Sequence, residues 1–218
     1  MLVKDYMTRH PLLAEPEMTI VEAQRFMGEN NVRHLPVVGT GKRLLGLVTR
    51  QTLLVDAGRL GSLDMWEIAR TLSGLKVKDV MVKAGDVITT EPDVTIEEAA
   101  RTMVEKKVGC LPVIEDGAVV GIITEIDLLA QLAAMMASRR EGVRVTVRMS
   151  NEKKGELARL VSAINAQGWG IMALGGAPAP KEPDEWDAVV KISYVSQADV
   201  VAALEKVTGQ EIIDVREI

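Results

Sequence analysis

The chain has 218 residues, with 26 Lys+Arg against 31 Asp+Glu and a formal charge of -5, so the basic surplus usual in nucleic-acid binding is missing. One cysteine excludes an intrachain disulfide and a cysteine-rich metal centre, and two histidines give little support to a histidine-based metal site. Hydrophobic residues make up 47% and aromatic residues 3%, which is enough for one to three small domains with cores of Val, Ile, Leu, Met and Ala.

The opening MLVKDYMTRH is charged where a signal peptide would be apolar. The most apolar helical stretch, DLLAQLAAMMAS, is far shorter than the roughly 20 residues of a membrane span. A cytoplasmic protein with no membrane or nucleic-acid partner is expected.

In chain order, a short extended piece comes first. MTIVEA then opens a helix in which Thr19 and Glu22 have capping-box spacing and Ile20, Ala23 and Met27 share a side. LPVV and LLGLVT read as strands joined by a GTGK turn, and a second helix begins near Gln51. In the following DAGRLGSLDMWEIARTLSGLK, Ser62 can cap a helix over residues 63–73 and Gly74 can stop it. Met65 and Trp66 there are either core residues or part of a dimer face.

The same order then returns. VKDVM, VTIEEA (Thr95 with Glu98), LPVI, an Asp-Gly turn, VVGIIT and a helix from Ile126 answer the first copy. Met7 answers Met81, Met27 answers Met103, Pro36 answers Pro112, Gly46 answers Gly121 and Thr49 answers Thr124. Two similar strand–helix–strand–strand–helix units should pack together, since neither can bury its apolar face alone.

A third unit follows. VRVTVRM alternates as a half-buried strand, GELARLVSAINAQGWG is an amphipathic helix ending at Gly168, and GIMAL is a strand. GGAPAPKEPDEW reads as a Gly/Pro-rich loop, WDAVVKISYV as a strand, SQADVVAALEKVTG as a helix with a Ser196–Asp199 cap, and EIIDVREI as a closing strand. The order βαββαβ is ferredoxin-like.

The repeated ends GLVTRQTLL and GIITEIDLL, preceded by VRHLPVV and VGCLPVI, resemble paired CBS domains, and residues 143–218 resemble an ACT domain. With the linker LDMWEIARTLSGLKVKDVM, the combination is similar to acetoin-utilisation proteins of the AcuB type. The resemblance implies an α/β (α+β) fold in which two pseudo-symmetric CBS motifs, 1–75 and 76–140, form one module before an ACT-like domain at 143–218. It implies a non-catalytic regulator that binds an adenosyl compound (AMP, ATP, NAD or S-adenosylmethionine), forms a homodimer or larger assembly and signals to a protein partner. An amino acid at the third unit is a further implication. The rival readings are a structural adaptor with empty clefts and a small enzyme, for which the sequence identifies no nucleophile or metal set.

An adenosyl site needs an apolar slot for the base, an acceptor for the ribose hydroxyls and donors for phosphate. Val87, Ile88 and Leu111 are candidates for the slot. In TEID, Asp127 can take the ribose and Thr124 the first phosphate; alternatively they are only a helix cap and its partner. The first copy reads TRQT, with Thr49 in place of Thr124 but Thr52 in place of Asp127, which puts its ribose clamp in doubt. Arg33 and His34 are candidate phosphate readers that can reach across from the first copy, or a solvated charge and a strand-end histidine. Cys110 reads as a small buried hydrophobe. In the third unit Asn151, Gly155, Glu156 and Leu157 mark a turn that can hold an amino acid or be purely structural.

Overall fold

The computed structural model describes residues 1–53 and 74–218, so the expected linker helix with Met65 and Trp66 lies outside the described residues. The described chain divides into two compact units, Met1–Leu128 and Leu129–Ile218.

The first unit carries the repeat. Its first copy runs α1 (Val3–Tyr6), β1 (Thr8–Arg9), α2 (Ile20–Glu29), β2 (His34–Val38) and β3 (Leu44–Thr49). Its second runs α3 (Val77–Val80), β4 (Val82–Lys83), α4 (Ile96–Lys106), β5 (Cys110–Glu115), β6 (Ala118–Thr124) and then α5 (Glu125–Met135), which continues past the division. The expected extended start is instead one helical turn in both copies, closed by Met7 N–H to Val3 O and Met81 N–H to Val77 O. Local chemistry sets the rest. Thr19 accepts from the Glu22 amide at 3.2 Å, and Glu22 returns a bond to the Thr19 amide at 2.9 Å. Thr95 accepts from Glu98 in the same way at 3.2 Å. Asp116 and Gly117 both have positive φ, 50° and 77°, as the tight two-residue hairpin between β5 and β6 requires.

The copies exchange their first segments. β1 pairs with β6 of the second copy, Thr8 opposite Ile122, while β4 pairs with β3 of the first, Val82 opposite Leu47. The sheets are therefore ordered β1-β6-β5 and β2-β3-β4. Val3 is buried among Ile96, Ala99, Met103, Leu111, Val113 and Ile123, and Val77 among Ile20, Ala23, Met27, Leu35, Val37, Val48 and Leu53. The Val3 amide donates to Val94 O and the Val77 amide to Met18 O, both at 2.8 Å. Ion pairs repeat the exchange at the surface: Lys4 meets Asp93 at 2.5 Å, and Lys76 and Lys78 meet Glu17. A side chain at Gly121 would collide with Met7 Sδ, and one at Gly46 with Met81 Sδ and Val82 O. The repeated methionines and glycines are thus partners across copies.

The second unit contains β7 (Val143–Ser150), α6 (Glu156–Ala166), β8 (Gly170–Ala179), β9 (Glu182–Ser193), α7 (Gln197–Leu204) and β10 (Gln210–Glu217). Its antiparallel sheet has the order β10-β7-β9-β8, the ferredoxin-like arrangement expected from the sequence. Gly168, φ 76°, follows α6 as its left-handed stop. The Gly/Pro-rich stretch corrects the loop reading: it is mostly strand, with a turn at Pro180–Lys181 between β8 and β9. Proline is tolerated because β8 is an edge strand. Gly176 leaves the space that the Trp186 indole fills. Buried Lys191 on β9 donates to Ala137 O at 3.1 Å, just beyond the end of α5.

Candidate functional site

Thr124 ends β6 and Glu125 starts α5, so Asp127 falls on the first helical turn. Asp127 Oδ2 accepts from the Thr124 amide at 2.8 Å and from its hydroxyl at 2.7 Å, while the Asp127 amide donates to Thr124 Oγ1 at 3.4 Å. That is a complete reciprocal cap. Among the described residues Oδ1 takes no hydrogen bond, so one carboxylate oxygen caps and the other can accept a hydroxyl.

The first copy builds the same reciprocal turn without a carboxylate. Thr52 Oγ1 accepts from the Thr49 amide at 2.8 Å and donates to Thr49 O at 3.0 Å, and the Thr52 amide donates to Thr49 Oγ1 at 3.2 Å. Threonine is therefore sufficient for this reciprocal bonding. The charge and second oxygen of Asp127 exceed that structural need.

Residues of the first copy meet the start of α5. Arg33 Nη2 lies 3.4 Å from Glu125 Oε1. His34 opens β2, and a methyl group at Gly109 would lie 3.5 Å from both His34 Nε2 and Glu125 Oε2. Arg33, His34, Gly109 and Glu125 thus gather where the copies meet. Burial, followed by the positive charge of Arg33, lowers the His34 pKa, and Glu125 partly opposes this. Cys110 is buried, and desolvation followed by the nearby Glu125 charge pushes its thiol up to about 12. It is held as a thiol, as its reading as a small hydrophobe requires.

The proposed base slot divides. Leu111 is fully buried in the second core, whereas Val87 and Ile88 are half-buried on the segment before α4. Ile88 packs against that core, and at Thr90 the chain bonds to β5 through Pro112 O and the Ile114 amide. An open hollow of about 800 Å³ lies near the β5–β6 hairpin, lined by Thr89, Glu91, Asp93, Glu115 and Asp116 among others. It shares no residue with the Thr124–Asp127 turn, and its acidic wall is unsuited to phosphate.

In the second unit the Asn151 amide donates to Asp184 O at 2.9 Å, and Gly155, φ 86°, caps α6. Leu157 packs against the core. Glu156 is buried, pairs with Arg159 and accepts from Gln210 Nε2 at 3.1 Å. The hydrogen bond from Arg159, then that from Gln210, holds its carboxyl below the usual value. Glu156 is thus already engaged within the chain, while Asn151 is exposed.

Glu125 is the residue that sequence reading passed over. Its signal was the opposite charge of its counterpart, Arg50, in an otherwise matching turn. Among the described residues, no helix is long and apolar enough to cross a membrane.

Comparison with known proteins matches the same repeat. The chain is 31% identical over 145 residues to an inosine-5′-monophosphate dehydrogenase of Korarchaeum cryptofilum, spanning 66% of this chain but 27% of that protein. It is 30% identical over 135 residues to protein MJ1225 of Methanocaldococcus jannaschii, spanning 47% of it. Among solved structures, a protein assigned to acetoin utilization, AcuB from Vibrio cholerae, superposes with a TM-score of 0.53 at 30% identity. That match covers 64% of this chain and 96% of the other. CBSX2, solved with AMP, gives 0.52 at 26% identity over 62% of this chain and 97% of its own. The CBS domain pair of MJ0100, solved with 5′-methylthioadenosine and S-adenosyl-L-methionine, gives 0.50 at 25% over 62% and 97%. The CBS domain family matches residues 3–56 and 77–134, more than half of the 218, and the two matched segments are the two copies of the repeat. The chain belongs to the CBS domain family.

Proposed function

We propose that the protein is a non-catalytic regulator whose second cleft, at Thr124 and Asp127, binds an adenosyl compound. The observation that carries this reading is Asp127 Oδ1, which takes no hydrogen bond among the described residues, beside a reciprocal turn that Thr52 completes without a carboxylate in the first copy. Asp127 Oδ1 accepts a ribose hydroxyl. Thr124 and the first amides of α5 face the 5′ substituent, and Val87 and Ile88 flank the base. The adenosyl ligands of CBSX2 and the MJ0100 pair support the ligand class. The likeness to AcuB supports a role in acetoin or related carbon metabolism.

The module acts in the cytoplasm as a homodimer or larger assembly and passes occupancy to a protein partner. The division of labour follows the motifs at 1–75 and 76–140 and an ACT-like unit at 143–218, whose turn at Asn151 and Gly155 serves an amino acid effector. The ferredoxin-like strand order supports that last assignment.

Calorimetric titration of the intact chain with adenosine, AMP, ATP, NAD and S-adenosylmethionine tests the reading. At least one ligand should bind, with its heat lost in Asp127→Ala while the variant still melts cooperatively. Absence of binding by the whole panel, or binding unaffected by Asp127→Ala, refutes it.

A further inference from the structure

The start of α5 carries an unusual charge arrangement. Glu125 and Asp127 place two carboxylates in its first turn. Arg33 reaches the site from the first copy, but its guanidinium lies against Glu125 at 3.4 Å. His34 adds little positive charge at neutral pH, because burial and Arg33 disfavour its protonation. Among the described residues Arg33 is the cation paired at this turn and it already has Glu125, so the second carboxylate leaves the turn net negative. The favourable dipole end of the helix is already occupied by the Glu125 charge. At the matching place in the first copy the charges reverse: Arg50 stands for Glu125 and Thr52 for Asp127.

We infer that the second cleft selects adenosyl compounds whose 5′ substituent is neutral or cationic, a thioether or a sulfonium, over those bearing phosphate. The Arg33–Glu125 pair is the specificity device. This rests on the adenosyl reading of the Asp127 cleft and deepens it. A phosphate monoester brings a charge of about −1.5 to −2 near neutral pH and must either displace Glu125 from Arg33 or sit beside an uncompensated carboxylate. A thioether meets no such repulsion, and a sulfonium is attracted. Glu125 and Arg33 side chains are about half exposed, so their pairing is adjustable by substitution without opening a core.

The test is calorimetry on the intact chain with 5′-methylthioadenosine, S-adenosylmethionine and AMP, in the parent, Glu125→Gln and Arg33→Gln. Heat that survives in Asp127→Ala is assigned to the first cleft and subtracted. The parent should bind the thioether and the sulfonium about tenfold or more tighter than AMP. Glu125→Gln frees Arg33 and should tighten AMP about tenfold while moving 5′-methylthioadenosine by less than about twofold. Arg33→Gln should weaken AMP further and leave the thioether in place. AMP binding as tightly as the thioether in the parent overturns the inference even if Glu125→Gln does not fold. An unchanged AMP-to-thioether ratio in folded Glu125→Gln overturns it as well. If AMP wins but the Asp127→Ala loss holds, only the charge selection fails. If no adenosyl compound binds, the adenosyl reading itself falls and the inference with it.

Discussion

Adding one methyl group at Gly121 should expose the exchange between the copies. Gly121 is buried on β6, the middle strand of its sheet, and the space a Cβ would take is occupied by Met7 Sδ from the first copy. Overpacking of this kind costs about 1–3 kcal/mol. A cost of that size lowers the melting temperature by about 2–12 °C, at 2–4 °C per kcal/mol for a protein of this size. The methionine is flexible, so part of the strain relaxes through its side chain. Gly46→Ala should cost more than Gly121→Ala, because its methyl also meets the backbone oxygen of Val82, which cannot swing aside. Thermal melts of Gly121→Ala, Met7→Ala and the double variant form the decisive cycle. Met7→Ala should destabilise the parent but cost much less in the Gly121→Ala background, since truncation makes room for the new methyl. A coupling of about 1–3 kcal/mol is expected. Strict additivity would mean that Met7 does not pack on Gly121 and that the exchange is wrong.

Glu17 carries a pH signature: hydrogen bonds from Lys76 and then Lys78 lower its carboxyl to about 2. An unfolded glutamate titrates near about 4.3, so stability should rise with pH between these values, and the Glu17 share should be lost as pH falls through about 2. The difference in melting temperature between the parent and Glu17→Gln should therefore shrink on acidification, from a small starting value because the pair is solvent-exposed. An NMR titration of His34 should give a midpoint below the usual histidine value, and Glu125→Gln should lower it further because Glu125 opposes the shift. Cys110 should resist a thiol reagent at neutral pH in the folded chain and react fully in denaturant, as burial and a thiol held near about 12 require. Rapid labelling of the native protein would contradict that burial.

Local signals were the most legible in the sequence. Thr19–Glu22, Asp116–Gly117 and Gly168 act within a few residues, so their spacing alone announces a cap, a hairpin and a helix stop. Long-range pairings were less so. Met7 and Met81 align, as do Gly46 and Gly121, but alignment cannot say that each methionine packs on the other copy's glycine. The β8–β9 hairpin was hidden by composition, because Gly176 and Pro178 suggest a loop until an edge position and the Trp186 ring are in place. At the candidate site, TEID showed the Thr124–Asp127 relation, whereas the ion pair of Arg33 with Glu125 joins residues 92 positions apart through the packing of the copies.

The most direct measurement compares adenosine with 2′,3′-dideoxyadenosine in the parent and in Asp127→Ala. If Asp127 Oδ1 accepts the ribose, the parent should lose about tenfold to a hundredfold in affinity when the hydroxyls are removed. Asp127→Ala should bind both nucleosides weakly and nearly equally. Equal discrimination against the dideoxy compound by parent and variant would leave Asp127 as a helix cap alone and contradict the account.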